Sequence, residues 1–405
     1  MRILVVHYGT FESNSAIQTF HFANRLVDRG FEVAVCGRAP ELVHGVGEPR
    51  FECLDYRALA GRVSDYRRRG GETVIHAWTP RERVRRATVA AAERLGAAYV
   101  VHLEDNEEHL AGAVEGREFA ELRSAPIEEQ DSIAGLEYAH PTHYPKFMRG
   151  AAGVTVITEE LNEFNFGRVP HHLMRPGVDA ERFGPHVEPA AEREQFGVAR
   201  DEFLLVYQGA MHYANQREMF SLYLAVSMLQ RRGRPVKLLR LGENWTHGVD
   251  PSFGALRDRG VIELGAVPWR EVPGYLALAD AFVQPGAPDE FNRYRLPSKL
   301  PEFLAMGRPV VLPRCNIGAD LVDGEDALLL DRGDGVEIAD RVDSLIANPD
   351  LARRLGRGAR EFALHSLDWD ENTDRLAAFY RRIAAHGAPR GDTMMEQGRS
   401  PGGRM

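Results

Sequence analysis

The run Leu296-Pro297-Ser298-Lys299-Leu300-Pro301-Glu302-Phe303-Leu304-Ala305-Met306-Gly307-Arg308-Pro309-Val310-Val311 reads as loop, helix and strand in quick succession. Pro297-Ser298 ends a loop, and Ser298 is a good helix N-cap. Pro301 fits a first turn, whose N–H groups have no intrahelical partner in any case. Gly307 stops the helix and residues 309–312 begin a strand. A lysine at the positive end of a short helix makes an anion site, with Glu302 one turn in to accept hydrogen bonds from neighbouring hydroxyls. Phosphate plus diol is what a nucleoside diphosphate presents. The plainer reading is an αβ turn with Lys299 and Glu302 solvated, and the run alone leaves both open.

Outward from this run, short apolar stretches alternate with helix-patterned segments almost from end to end. Strands are expected at 3–6, 32–36, 74–76, 99–102 and 154–157, then at 203–207, 236–241, 261–264, 281–284, 309–312 and 327–330. Between the first two, Ala16, Phe20, Ala23 and Val27 recur at helical spacing before Gly30. Such alternation implies an α/β fold of parallel sheets covered by helices on both faces. Pro, Gly and His crowd residues 170–189, so two successive Rossmann-like, doubly wound domains are expected, at about 1–185 and 186–366. An insertion at about 103–149 is acidic at first (Glu104, Asp105, Glu107, Glu108), then aromatic and His-rich (Tyr138, His140, His143, Tyr144). Insertions of that length usually carry binding function. A last helix at about 367–386 precedes a Gly-, Arg- and Pro-rich tail, 387–405, expected to be disordered.

Composition narrows the function. Over 405 residues, 44% are hydrophobic and 27% charged, the mix of a globular protein with room for two cores. A net charge of -9 argues against nucleic acid as a partner. Cys36, Cys53 and Cys315 are far apart, which suits a reducing cytosol and supports neither a disulfide framework nor a thiolate metal site. With no apolar run of spanning length, the protein is expected to be cytoplasmic. Arg81, Arg83, Arg85 and Arg86 form a basic helix start that could touch anionic lipid, though a solvated face is the better account.

The 296–311 run resembles the donor-site signature of retaining, nucleotide-sugar-dependent glycosyltransferases of group 1 with the GT-B fold, in the variant P-S-K-L-x-E-[YF]-L-A-x-G-[RK]-P-V-V. Arg175-Pro176-Gly177-Val178-Asp179 with Arg182-Phe183 resembles the family's linker motif. Asp280-Ala281-Phe282-Val283-Gln284-Pro285 resembles the strand before the donor loop, and Leu264-Gly265-Ala266-Val267 the strand end lining the base pocket. The likeness extends over roughly residues 1–385. It implies two domains facing a central cleft, acceptor-binding first and donor-binding second, with the C-terminal helix crossing back to the first.

By that resemblance Glu302 takes the ribose and the backbone around Ser298, Lys299 and Leu300 the diphosphate. Gly209 opens the first loop of the donor domain, Val267 belongs to the base pocket, and Arg217 and Lys299 are the cations on the leaving group. His102 faces the transferred sugar. Ser13, Asn14, Asp105, Glu107 and Tyr144 are the acceptor-side candidates. The sequence departs from the family where a second glutamate is common (Tyr294 here), where an arginine follows the loop glycine (Ala210), and at a first-domain glycine pair (Ser13-Asn14). The implied activity is metal-independent transfer of a hexosyl type of sugar to an acceptor hydroxyl with retention of anomeric configuration. The nucleotide sugar is a substrate and no cofactor is expected. The acceptor, a saccharide, glycolipid precursor or small metabolite, is unnamed. The alternatives are a nucleotide-sugar epimerase of the same fold and a non-catalytic subunit of a partner transferase. Asp368-Trp369-Asp370 fits the D-x-D pattern of metal sites but precedes a helix, where capping is the better account. His102, Glu104, Glu107 and His109 lack metal-ligand spacing.

Overall fold

The computed structural model describes residues 1–189, 191–212, 214–245 and 260–386. The expected tail at 387–405 lies outside them. The chain divides into two compact units, Arg175–Asn372 being one and the residues on either side of it the other. The division falls at Met174, earlier than the 185 expected, because the Pro- and Gly-rich stretch from Arg175 packs with the second unit. Gly177, for example, leaves so little room beside Trp369 that a Cβ would come within 2.4 Å of the indole.

The first unit holds a seven-stranded sheet in the order β3-β2-β1-β4-β5-β6-β7. Its strands are β1 (Arg2–Thr10), β2 (Glu32–Arg38), β3 (Glu52–Leu54), β4 (Thr73–Trp78), β5 (Ala98–Leu103), β6 (Gly153–Val156) and β7 (His171–Leu173). All are parallel. Every residue of β4 and β5 is buried, as expected for strands covered on both faces. The sequence patterning misses β3 and β7, three-residue strands at the two sheet edges, paired on one side only. The insertion is no open loop: it folds into helices Glu107–Glu115, Phe119–Ser124, Ile127–Ala134 and His143–Arg149.

The second unit carries six parallel strands in the order β10-β9-β8-β11-β12-β13. They are β8 (Phe203–Gln208), β9 (Val236–Leu241), β10 (Val261–Gly265), β11 (Ala281–Val283), β12 (Val310–Pro313) and β13 (Leu328–Leu330). The two-residue period of a strand splits their side chains cleanly. Leu204, Val206, Leu239 and Phe282 enter one core, where Phe282 stacks on Phe303 at 4.5 Å. Leu205, Tyr207, Leu238 and Val283 enter the other, against Met219 and Leu222 of the helix Gln216–Arg231. Both sheets are Rossmann-like: the chain winds outward from β1 or β8, then returns to that strand's other side.

The last helix, Trp369–His386, starts in the second unit and ends in the first. Asp368 accepts the Glu371 N–H at 2.7 Å, so the D-x-D aspartate caps a helix. Phe379, Tyr380 and Ile383 are buried on the first sheet, where Tyr380 Oη meets His76 Nδ1 at 2.6 Å. No helix of the described residues is long and apolar enough to cross a membrane.

Candidate functional site

In a doubly wound sheet the crevice for ligands opens at the carboxyl ends of the strands, where the winding reverses. In the second unit that point lies between β8 and β11. Glycines with positive φ follow or end four strands there: Gly209 after β8, Gly242 after β9, Gly265 ending β10 and Gly286 beyond β11. At Gly242 a Cβ would stand 2.5 Å from the Gly209 carbonyl, so only glycine lets these loops lie together.

Lys299 enters this crevice. A Cβ on Gly209 would lie 2.9 Å from Lys299 Cε, so the lysine stem occupies the room that glycine leaves. Lys299 Nζ stands 3.4 Å from Gln284 Oε1, just beyond β11, and 5.1 Å from the ring centre of Tyr207 on β8. The helix behind it is Leu300–Ala305, with Lys299 itself at the N-cap. Two expectations are corrected here. Ser298 is exposed in the turn and caps nothing, because the turn closes through Leu300 N–H on Pro297 O at 3.0 Å. Leu300 therefore has no N–H to offer a phosphate, and its side chain is fully buried in the core.

Glu302 lies one turn further on. Burial pushes its carboxyl up to about 8, against the opposing charges of Arg182 and Lys299 and a hydrogen bond with Gln208. Among the described residues, Glu302 Oε2 and Gln208 Oε1 are both buried without a hydrogen-bond partner. Two unpartnered acceptors on adjacent side chains call for two donors. Arg182, beside them, stacks on Trp269 at 4.6 Å and donates to Trp269 O at 2.7 Å. Val267 is half-buried against the core below.

Arg217 is not among the groups gathered here. It is exposed on the helix Gln216–Arg231, and its neighbour Glu218 turns inward instead, 3.2 Å from Arg295. His212 is held below its ordinary pKa by burial and by the positive charges of Arg295 and Lys299. Arg295 is thus a cation of this region that spacing did not reveal, lying just before the motif and stacked on Phe291 at 3.9 Å.

The first unit's reversal lies between β1 and β4. Arg81, after β4, stacks on Tyr8 of β1 at 3.9 Å, and its Nε reaches both Glu107 oxygens at 3.2 Å. Glu104 accepts from Ser15 Oγ at 2.5 Å and Trp78 Nε1 at 3.1 Å, and burial raises its pKa. His102, expected to face the transferred sugar, presents no exposed surface. It is fully buried, 4.3 Å from Trp78, with Nδ1 on Thr155 Oγ1 at 2.9 Å, and burial keeps it neutral.

Glu107 and Tyr144 are corrected too. Glu107 is the buried counter-ion of Arg81, and Tyr144 is fully buried against Phe119 and Phe166. Ser13 caps the helix Asn14–Asp28, accepting from Ala16 N at 3.3 Å and donating to Thr10 O at 2.9 Å. Asn14 is exposed and Asp105 part-exposed at this edge. The basic helix start is neutralised: Arg83 meets Glu137, and Arg85 and Arg86 both meet Glu82, each at 2.6 Å. Among the described residues no group of three or more His, Cys, Asp or Glu could hold a metal ion.

Residues 202–348 match the family described as Glycosyl transferases group 1. Over 216 residues the chain is 30% identical to a GDP-mannose-dependent alpha-(1-6)-phosphatidylinositol monomannoside mannosyltransferase of Mycolicibacterium smegmatis, covering 50% of this chain and 54% of the relative. It is 27% identical over 198 residues to a D-inositol 3-phosphate glycosyltransferase of Frankia alni, covering 46% and 47%. The chain spans about half the length of the curated relatives it matches. In fold it is similar to Anabaena Alr3699/HepE in complex with UDP and glucose, at 16% identity, TM-score 0.66, and 94% and 100% of the two chains. It is also similar to a glycosyltransferase from Rickettsia africae, at 13% identity, TM-score 0.70, and 94% and 98%.

Proposed function

We propose that this chain, whose residues 202–348 match the glycosyl transferases group 1 family, moves a sugar from a nucleoside diphosphate to an acceptor hydroxyl. The second unit binds the donor and the first the acceptor. The observation that carries this reading is the crevice at β8 and β11. There Lys299 reaches over Gly209, beside the two unpartnered acceptors of Glu302 and Gln208. A ribose diol supplies two O–H donors for those acceptors, and a diphosphate supplies charge for the lysine. The structural neighbour crystallised with UDP and glucose is consistent with such a ligand.

In the reaction the bond from the anomeric carbon to the diphosphate oxygen breaks and a bond to the acceptor oxygen forms. Negative charge grows on the leaving diphosphate, where Lys299 stabilises it more in the transition state than in the bound donor. Retention follows the resemblance of the donor motif, with the acceptor proton passing to a leaving-group oxygen on the same face. Because protein cations meet the diphosphate, we expect turnover without a divalent ion. On the first unit the acceptor meets the edge formed by Tyr8, Asn14, Arg81 and Asp105. Calorimetry with UDP, GDP, ADP and dTDP tests the donor half of this reading. Tight binding of one nucleotide, weakened in Glu302→Ala by the ~1.5–3 kcal/mol of a charge-assisted hydrogen bond, supports it. Equal indifference to all four, in wild type and variant alike, overturns it.

A further inference from the structure

The loop that follows β8 is held from below by a buried cation that no part of the donor motif contains. Arg240, on β9, is 1% exposed. Its Nε donates to Glu263 Oε1 at 3.2 Å, and Glu263 in turn accepts from Tyr223 Oη at 2.6 Å. Its Nη1 donates to two backbone carbonyls, Gly209 O at 3.3 Å and Glu243 O at 3.2 Å. These carbonyls belong to the loops after β8 and β9. The loops are further zipped by Met211 N–H on Glu243 O at 2.9 Å and Trp245 N–H on Met211 O at 2.8 Å. A buried arginine is costly unless its charge is paired and its donors are used. Here the carboxylate takes the charge, and the fork is spent on fixing backbone.

The fixed carbonyl has a consequence for the N–H across the same peptide. A trans peptide is planar, so C=O and N–H point in opposite directions. With Gly209 O turned onto Arg240, the Ala210 N–H points away from the guanidinium. It donates to no group among the described residues. The Ala210 carbonyl is also fixed, by Asn215 Nδ2 at 2.9 Å, and Asn215 Oδ1 takes the His212 N–H at 2.8 Å. The free N–H thus belongs to a loop whose neighbouring groups are committed. Beside it runs the stem of Lys299, whose Nζ would stand 3.3 Å from a Cβ on Gly209.

We infer that Arg240 is a positioning residue that aims the Ala210 N–H, together with Lys299, at a phosphoryl oxygen of the diphosphate. The anion is held by one backbone donor and one ammonium, and position 210 needs no side-chain cation of its own. The inference rests on the proposed donor site, but it concerns the phosphates alone, so inorganic pyrophosphate probes it independently of any base or sugar.

The test compares pyrophosphate, a nucleoside diphosphate and the matching nucleoside by calorimetry. The proteins are the wild type, Arg240→Lys, Ala210→Pro and Ala210→Gly. Arg240→Lys keeps the charge against Glu263 but cannot serve both carbonyls. Ala210→Pro deletes the N–H outright, and Ala210→Gly retains it. Arg240→Lys and Ala210→Pro are expected to bind pyrophosphate and the diphosphate about tenfold more weakly, the scale of one charge-assisted hydrogen bond, with nucleoside affinity unchanged. Ala210→Gly is expected to bind all three as the wild type does. Thermal unfolding of each variant establishes that it is folded. Equal weakening of nucleoside and diphosphate in Arg240→Lys would mean that the arginine only stabilises the loop. Undiminished pyrophosphate binding in Ala210→Pro would overturn the inference. Wild-type protein that binds pyrophosphate but no nucleotide would instead sink the donor reading and leave the anion site standing.

Discussion

At the residue scale Lys299 and Glu302 carry the proposed donor chemistry. If the lysine stabilises charge that grows during bond breaking, Lys299→Ala lowers turnover at saturating donor by about 10²–10³ while changing donor affinity less. Initial rates at saturating donor measure this, and near-normal turnover would reduce the lysine to a surface charge. Glu302 gives a pH signature. Burial raises its pKa to about 8, so at neutral pH the free protein holds it mostly protonated. A diol hydroxyl donating to Glu302 favours the carboxylate and pulls that pKa down. Binding at pH 7 therefore releases close to one proton, and affinity rises with pH until about 8 and then levels. Calorimetry in two buffers of different ionisation enthalpy counts the proton, and Glu302→Gln should abolish the release. These two residues were legible because they lie four apart or fewer on one short motif. Gln208, Arg182 and Ala210 N–H were not, since they reach the site from segments outside that motif and only the folded sheet brings them to Glu302 or Lys299. Arg240 was hidden for a stronger reason: an arginine inside a strand reads as a break in an apolar run.

At the scale of elements, the insertion shows how far composition can mislead. Its acids and aromatics suggested a solvent-facing binding loop, whereas Glu107 and Tyr144 are buried. An acidic residue and a tyrosine look alike on a surface and in a core until the partner is known, and Arg81 lies far from Glu107 in sequence. Two variants separate these roles. Glu107→Ala strands the Arg81 charge and should cost about 3 kcal/mol, the penalty for breaking a buried pair. Tyr144→Phe removes a buried hydroxyl that has no partner among the described residues, and should leave stability unchanged or raise it by up to about 1 kcal/mol. Urea unfolding measures both; a destabilised Tyr144→Phe would show that the hydroxyl has a partner after all. Strand positions were far easier to read, because short apolar runs alternate with helix-patterned segments, and those of β8, β9 and β10 stop on glycine. The three-residue β3 and β7 carry too little pattern to register.

At the scale of the whole molecule, the two units should answer pH in opposite senses. The first holds His7, His76 and His102 buried and His172 half-buried as neutral rings: burial pushes His76 to about 3, His7 and His172 to about 4, and His102 well below its ordinary value. A depressed histidine contributes stability that is present above the ordinary 6.5 and is lost as pH falls toward its folded value. Glu104 and Glu108, raised by their burial, work the other way in that unit, two groups against these four and the lowered His140. In the second unit Glu302 contributes stability present below the ordinary carboxylate range and lost as pH rises through about 8; Glu218, raised by burial, acts in the same sense, and the lowered His212 acts against these two. Hydrogen exchange, corrected for its intrinsic pH dependence, should therefore show β4 and β5 less protected at pH 5 than at pH 7, and β8 and β12 no less protected. Equal loss in both units would contradict this assignment of charges. The two-unit plan was visible in the strand count and the break near residue 170. The division at Met174 was not, because Pro- and Gly-rich chain packs against its unit here instead of merely linking two.

The most direct test of the donor site is incubation of the protein with UDP-, GDP-, ADP- and dTDP-sugars in the presence of EDTA, with released nucleoside diphosphate as the readout. The account predicts slow release from donors of one nucleotide, persisting in the chelator and falling about 10²–10³ in Lys299→Ala. Release from that donor at the same rate in wild type and Lys299→Ala, or release that vanishes in EDTA and returns with manganese or magnesium, would contradict it.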